Sequence, residues 1–227
     1  MATDNVLTTW QQNATNWIKT LDEREIASRQ WTNPAIVAAV TARQPQSVLD
    51  VGCGEGWLLR ALHQQAQSPT RLMGVDGVPG LIAAARAAAP SDTTAFRFEC
   101  LPYAALQPET LAAWGSFDVV VCNYSLFGAE SVVSLLRNLR TALQSNGYLV
   151  IQTVHASVFD DFQGWIEEDW HLMAQNYTGR YQWYQRNLKQ WERDLKAAGY
   201  TLREVETVRV PSTQKALSFI FSAQLSR

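Results

Sequence analysis

The sequence predicts an α/β protein built on a doubly wound, mostly parallel sheet, and three observations carry that prediction. Residues 48–62, VLDVGCGEGWLLRAL, run from an apolar strand through a glycine turn into an apolar-periodic helix. Such a strand–turn–helix junction forms the ligand crevice of open α/β sheets. Apolar runs and helical patterns then alternate regularly from residue 47 to residue 154, the pattern of parallel strands with right-handed crossovers. Finally, two closing strands flank a short turn at Pro211-Ser212 and can pair as a hairpin, which makes the sheet mixed.

Taken in order, residues 5–30 read as helical, with Trp10, Ala14, Trp17, Ile18 and Leu21 at helical spacing. Asn33-Pro34 then supplies an N-cap and a first-turn proline for a helix through residue 41. Strand one is 47–51 with its helix at 56–66, strand two 71–76 with an alanine-rich helix at 78–88, and strand three 94–99. A short helical piece at 108–113 precedes strand four at 117–123, a helix at 130–142 and strand five at 148–154, entered through Asn146-Gly147. Residues 155–185 are irregular and aromatic. A helix at 186–198 stops at Gly199, in the position of a C′ glycine, and strands at 200–209 and 215–224 close the chain. One domain over 1–227 is expected, with 1–44 as a helical cap and 155–185 as an insertion.

The bulk numbers exclude several classes. A hydrophobic fraction of 47%, a charged fraction of 18% and a net charge of −2 describe an ordinary globule with no basic footprint, so no nucleic-acid partner is expected. No apolar run reaches the roughly 18 residues of a membrane span. The start, MATDNVLTTW, lacks the pattern of a signal peptide. Cys53, Cys100 and Cys122, an odd count without CxxC or histidine spacing, argue against a disulfide framework or a metal site. A cytoplasmic protein is expected, and nothing in the sequence sets its oligomeric state.

The glycines at 52, 54 and 56 read G-x-G-x-G, which is neither the dinucleotide fingerprint nor a phosphate loop. Asp76 ends strand two, twenty residues beyond Gly56, where a carboxylate suits a ribose diol; a plain strand-end cap is its simpler role. With these residues in view, DVGCGEG followed by GVDG resembles motifs I and II of the class I S-adenosylmethionine-dependent methyltransferases, over most of residues 33–154. The resemblance implies a Rossmann-like seven-stranded sheet with an antiparallel last strand. It implies that Gly52, Cys53, Gly54 and Gly56 wrap the methionine part of S-adenosyl-L-methionine with Asp50 close by, that Asp76 takes the ribose hydroxyls, and that Gly77 and Val78 flank the adenine. The family's frequent acid after strand three is missing from ECLPYAAL, so Leu101, Pro102 and Tyr103 are expected to sandwich the adenine. Asn123, Tyr124 and Ser125 fall in the motif beside the methyl-donating sulfur, where Asn123 suits the methionine amino group and aromatic faces suit a sulfonium.

Trp57 either covers the methionine tail or anchors the first helix, and Cys53 reads most simply as a packing residue. His155 ends strand five at the ligand edge of the sheet and is the candidate catalytic base, against a purely structural role. His171 is a weaker second and His63 is expected to face solvent. The aromatic insertion reads as the wall and lid of an acceptor pocket, or else as a satellite core; its acids, Asp160, Asp161, Glu167, Glu168 and Asp169, could face solvent or discourage an anionic acceptor. Trp10, Trp17, Arg24, Ser28 and Arg29 could close the site from the other side, Arg29 offering a guanidinium to a carboxylate of cofactor or acceptor; a surface ion pair is its simpler role. The expected reaction is methyl transfer to a small, partly apolar acceptor at oxygen, releasing S-adenosyl-L-homocysteine. The competing readings are an NAD-dependent oxidoreductase, for which no Tyr/Lys or His constellation stands in the sequence, and a non-catalytic cofactor-binding protein.

Overall fold

A computed structural model describes residues 2–22, 26–91, 93–172 and 176–226. Helices α1 (Ala2–Asp22) and α2 (Arg29–Thr41) precede β1 (Ser47–Val51), α3 (Trp57–His63), β2 (Arg71–Asp76), α4 (Pro79–Ala88) and β3 (Phe96–Cys100). Next come α5 (Pro108–Trp114), β4 (Phe117–Asn123), α6 (Glu130–Leu139) and β5 (Leu143–Val154). The chain ends with β6 (Gly164–Asp169), β7 (Arg180–Gln185), α7 (Leu188–Ala197), β8 (Tyr200–Arg209) and β9 (Ala216–Leu225). Seven strands form one sheet in the order β3-β2-β1-β4-β5-β9-β8, parallel through β5, with β9 antiparallel to both of its neighbours.

Strand alternation divides the core between the two faces of the sheet. Val48, Leu72, Val119, Val121 and Val150 point to one face, where Ile36 and Val40 of α2, Leu58, Leu59 and Leu62 of α3 and Ile82 of α4 cover them. Leu49, Val51, Met73, Val120 and Leu149 point to the other, against Leu111 of α5, Leu135 and Leu136 of α6 and Trp191 of α7. A sheet covered on both faces explains why β1 is buried at every position.

The structure departs from the sequence reading at several places. Helix α2 begins at Arg29, not at Asn33-Pro34, and Pro34 lies inside it. The turn at residues 26–28 starts the helix, with the Arg29 N–H donating to Ile26 O and the Thr32 N–H to Ser28 O. Burial of Thr32, Ile36 and Val40 offsets the one hydrogen bond that the proline removes. Strand β5 starts at Leu143, because Asn146-Gly147 falls at a shift of register against β4 rather than at an entry turn. The insertion is not irregular: β6 and β7 pair antiparallel, from Gly164 opposite Gln185 to Asp169 opposite Arg180. Its inward side carries Tyr181 and Trp183, which bury with Trp170 and Tyr177 beneath Trp10, Trp17 and Phe127. That packing is the satellite core.

Helix α1 bridges two parts of the fold. One face carries Leu7, Ala14 and Ile18 onto Val78 and Leu81 at the start of α4. The other runs along residues 176–180, where Thr9 Oγ1 donates to Arg180 O and Asn16 Nδ2 to Asn176 O. Arg24 lies outside the described residues. Among the described residues, no helix is long and apolar enough to cross a membrane.

Candidate cofactor crevice and adjoining cleft

The crevice opens where β1 ends. Three left-handed glycines turn the chain there, Gly52 at φ 79°, Gly54 at 56° and Gly56 at 80°. They do different work. A Cβ on Gly54 would meet nothing within 4 Å, so this backbone borders open space. A Cβ on Gly52 would lie 2.3 Å from both the Tyr103 hydroxyl and Ser125 Cβ, so this glycine permits a close approach within the protein. At Gly56 the neighbour is the Phe98 ring at 3.0 Å, a contact between turn and sheet.

Asp76, at the end of β2, organises the turn. One carboxylate oxygen accepts the Gly54 N–H at 3.0 Å and the other the Val78 N–H at 2.9 Å. A carboxylate has about four acceptor positions, so capacity remains for a ligand's hydroxyls. Burial raises its pKa, with the N–H groups of Val78, Gly54 and Gly77 opposing the shift. Asp50 is 2% exposed, and burial, reinforced by Asp76 and Glu55, pushes it up to about 8. Its Oδ1 and the Oδ1 of Asn123 at the end of β4 are buried without a hydrogen-bond partner. Two unsatisfied acceptors beside an open glycine backbone call for a donor, ideally a cationic one.

The other expected cofactor residues fall into two groups. Gly77 stays beside the crevice, with Leu7 of α1 and Pro102 close to its Cα, and Val78 is buried under α1. Leu101 is half-buried against the core on the α5 side of the sheet, while Pro102 is exposed. Tyr103, Tyr124, Ser125 and Cys53 turn elsewhere. Tyr103 points inward, donating its hydroxyl to Ser125 O at 3.0 Å, instead of presenting its ring beside Pro102. Ser125 Oγ donates to Val51 O at 2.7 Å. Tyr124, held at φ 51°, sends its hydroxyl to Thr32 and Ser218 under α2. Cys53 directs its sulfur toward Gly74 of β2, and burial raises its thiol well above the usual range. Tyr103, Ser125 and Cys53 brace the turn, while Tyr124 ties the end of β4 to α2.

His155 is not placed as a base. Its Nδ1 accepts the Ser157 N–H at 3.1 Å and lies 2.7 Å from Ser157 Oγ, which caps a short helical turn. With that nitrogen accepting, the neutral ring carries its proton on Nε2 and has no free lone pair to offer a substrate. Burial and Arg209 lower its pKa against the pull of Asp161, and its ring packs on Phe219 at 4.0 Å. His171 pairs with Asp169 at 2.9 Å on the outer strand of the insertion. His63 is half-buried, edge-on to Phe96, rather than facing solvent. Three of the insertion's acids have local partners: Arg180 holds Asp169 and Glu167, and Glu168 accepts the Trp183 indole N–H; Asp160 and Asp161 are exposed.

Beside the glycine turn lies a cleft of about 570 Å³ between the end of α1, the start of α2 and the start of α3. Trp57 and Arg29 both line it, the guanidinium 4.9 Å from the centre of the indole ring. Glu55 and Arg60, also on its wall, form an ion pair with each other. The sequence reading singled out neither. A five-residue separation is not a helical pairing pattern, and only the turn's fold brings the two together. The contact of Leu7 with Gly77 had no local signal either.

A family profile described as "Methyltransferase domain" matches residues 24–205. A trans-aconitate 2-methyltransferase of Escherichia coli O7:K1 is 28% identical over 170 residues, 73% of this chain and 60% of that protein. A ubiquinone biosynthesis O-methyltransferase of Histophilus somni is 28% identical over 121 residues, 53% of this chain and 48% of that protein. The matches thus span about half to three fifths of these relatives' length. Among solved structures, magnesium protoporphyrin IX methyltransferase from Synechocystis PCC 6803, bound to S-adenosylhomocysteine, aligns over 100% of both chains with a TM-score of 0.70 and 18% identity. An S-adenosylmethionine-dependent methyltransferase from Mesorhizobium loti aligns over 82% of this chain and 95% of its own, with a TM-score of 0.61 and 21% identity. These structural likenesses establish the fold.

Proposed function

The chain belongs to the Methyltransferase domain family, with the fold of the class I S-adenosylmethionine-dependent enzymes, and from that premise we propose that it moves a methyl group from S-adenosylmethionine to an oxygen of a small, partly apolar acceptor. One observation carries the cofactor assignment: the buried, unpartnered acceptors of Asp50 and Asn123 flank a glycine turn that borders open space. An α-ammonium group supplies the donors they lack. Family membership and the G-x-G-x-G spacing together displace the nicotinamide reading.

When bound, S-adenosylmethionine supplies an electrophilic methyl group on a sulfonium. In this reading the Gly52–Gly56 backbone takes the methionine end, with Asp50 and Asn123 receiving its ammonium. Asp76 receives the ribose hydroxyls, and Gly77, Val78, Leu101 and Pro102 flank the adenine. Leu7 of α1 meets Gly77 from above and adds an apolar roof over that end. Displacement at a sulfonium needs alignment and exclusion of water above all, and α1, spanning from α4 to the insertion, supplies the cover. No catalytic role is kept for His155.

Two features favour oxygen as the nucleophile. The Histophilus somni relative is named an O-methyltransferase. In addition, the cleft beside the turn is lined by hydrogen-bonding groups of Thr20, Gln30 and Asn33 next to apolar Leu21, Ile26 and Trp57. The test is formation of S-adenosylhomocysteine with panels of small phenols, carboxylic acids, amines and thiols, each product being identified by mass. Methyl esters or ethers are expected; products methylated only at nitrogen or sulfur would overturn the oxygen assignment.

A further inference from the structure

We propose that the acceptor is a small carboxylic acid whose carboxylate is held by Arg29 in the cleft beside the glycine turn. This inference rests on the methyl-transfer reading above and deepens it. The Arg29 guanidinium is half-buried and has no hydrogen bond or ion pair with any described residue; its one specific contact is the face of Trp57. Burial lowers its pKa while Glu55 and Tyr124 pull it back up, so it stays a cation in a partly dry place. A half-buried guanidinium has lost part of its hydration, and a ligand carboxylate matches its fork in a bidentate pair.

The rest of the wall fits the same ligand. Glu55, the acid among the described residues of the wall, is held by Arg60 through both its carboxylate and its backbone carbonyl, so it reaches Arg29 only through space and leaves that guanidinium without a close anionic partner among the described residues. Arg29 is the first residue of α2, so the positive end of that helix faces the same space. Gln30 and Asn33 offer amide donors, and Leu21, Ile26 and Trp57 offer apolar surface for a short hydrocarbon body. The acids of the insertion do not line this cleft.

A carboxylate acceptor also matches the absence of a base at His155. Carboxylic acids are ionised at neutral pH, so no proton has to be removed. One carboxylate oxygen forms the new bond to the methyl carbon as the carbon–sulfur bond breaks, the electron pair passes to sulfur, and a methyl ester leaves with the neutral thioether. Anion and sulfonium cancel, and no proton moves.

The experiment compares wild type, Arg29→Gln and Arg29→Lys with S-adenosylmethionine and a panel of small aliphatic, aromatic and unsaturated mono-, di- and tricarboxylic acids. Acid binding in the presence of S-adenosylhomocysteine is followed by saturation-transfer NMR, and cofactor Kd by calorimetry. At least one acid should be esterified by the wild type. Arg29→Gln should raise its KM by 10-fold or more and abolish its NMR transfer, while the Kd of S-adenosylhomocysteine changes less than 2-fold; Arg29→Lys should recover part of the loss. The proposal is overturned if no acid is esterified, or if Arg29→Gln weakens cofactor binding and leaves the acceptor KM unchanged, which would give the guanidinium to the cofactor. Failure of the wild type to bind S-adenosylhomocysteine at all would instead break the methyl-transfer reading beneath it.

Discussion

Asn13 and Thr178 clasp each other across 165 residues of sequence: Asn13 Nδ2 donates to the Thr178 carbonyl at 2.6 Å, and Asn13 Oδ1 accepts the Thr178 N–H at 2.9 Å. The asparagine is fully buried, and this reciprocal pair fixes α1 to the insertion together with the buried contact of Thr20 Oγ1 with the Tyr177 hydroxyl at 2.7 Å. Asn13→Ala leaves two backbone groups without partners and should lower stability by about 1–3 kcal/mol in urea unfolding. Because α1 also meets Gly77 through Leu7, the same change should speed release of S-adenosylhomocysteine in stopped-flow measurements. An unchanged release rate in a destabilised variant would mean that α1 is not the cover of the crevice.

The glycine turn yields a paired prediction. Gly52→Ala forces a Cβ to 2.3 Å from Tyr103 Oη and Ser125 Cβ at a φ of 79°, and should destabilise by about 2–4 kcal/mol. Gly54→Ala meets no protein atom and should lose only about 1–2 kcal/mol of stability to backbone strain. Its Cβ enters the space given to the cofactor, so the loss of affinity should exceed the loss of stability. Thermal unfolding with and without S-adenosylhomocysteine separates the two effects.

Asp76→Ala should weaken S-adenosylhomocysteine binding by about 1–3 kcal/mol in calorimetry, since ribose hydroxyls lose their acceptor and the turn loses the group that holds Gly54 and Val78. Unchanged affinity would leave Asp76 as a turn residue alone.

Much of this arrangement was legible in the sequence, for identifiable reasons. Buried parallel strands appear as apolar runs, and glycine takes left-handed turns such as those at 52, 54 and 56 with the least strain, so the spacing of the glycines locates the crevice. Pro34 misled because a proline inside a helix's second turn looks, locally, like a helix start. The hairpin was missed although YQWYQ alternates, since its partner GWIEED carries acids on both sides and hides the period. The engagement of His155 with Ser157 and the inward turn of Tyr103 depend on rotamers that no spacing encodes. The clasp of Asn13 on Thr178 and the seating of the Arg29 guanidinium on Trp57 arise only from tertiary packing.

Asp50 gives the account a pH signature. Its native pKa of about 8 lies above the 3.8 of the unfolded chain, so the folded protein holds the extra proton between those values. The contribution of this group to stability is therefore full below about pH 4, declines as pH rises through 8, and is lost above it. Asp50→Asn should flatten that part of the stability profile, as followed by urea unfolding between pH 5 and about 9. If the cofactor's ammonium pairs with Asp50, binding at pH 7 also drives the carboxyl to ionise. Calorimetry in buffers of different ionisation enthalpy should then show up to about one more proton released by wild type than by Asp50→Asn.

The most direct measurement titrates the wild-type protein calorimetrically with S-adenosylmethionine, S-adenosylhomocysteine and NAD. Saturable 1:1 binding of both sulfur compounds is expected, with none of NAD, and a rise in melting temperature that follows the sulfur compounds' Kd. Binding of NAD with no response to either adenosyl sulfur compound would contradict it.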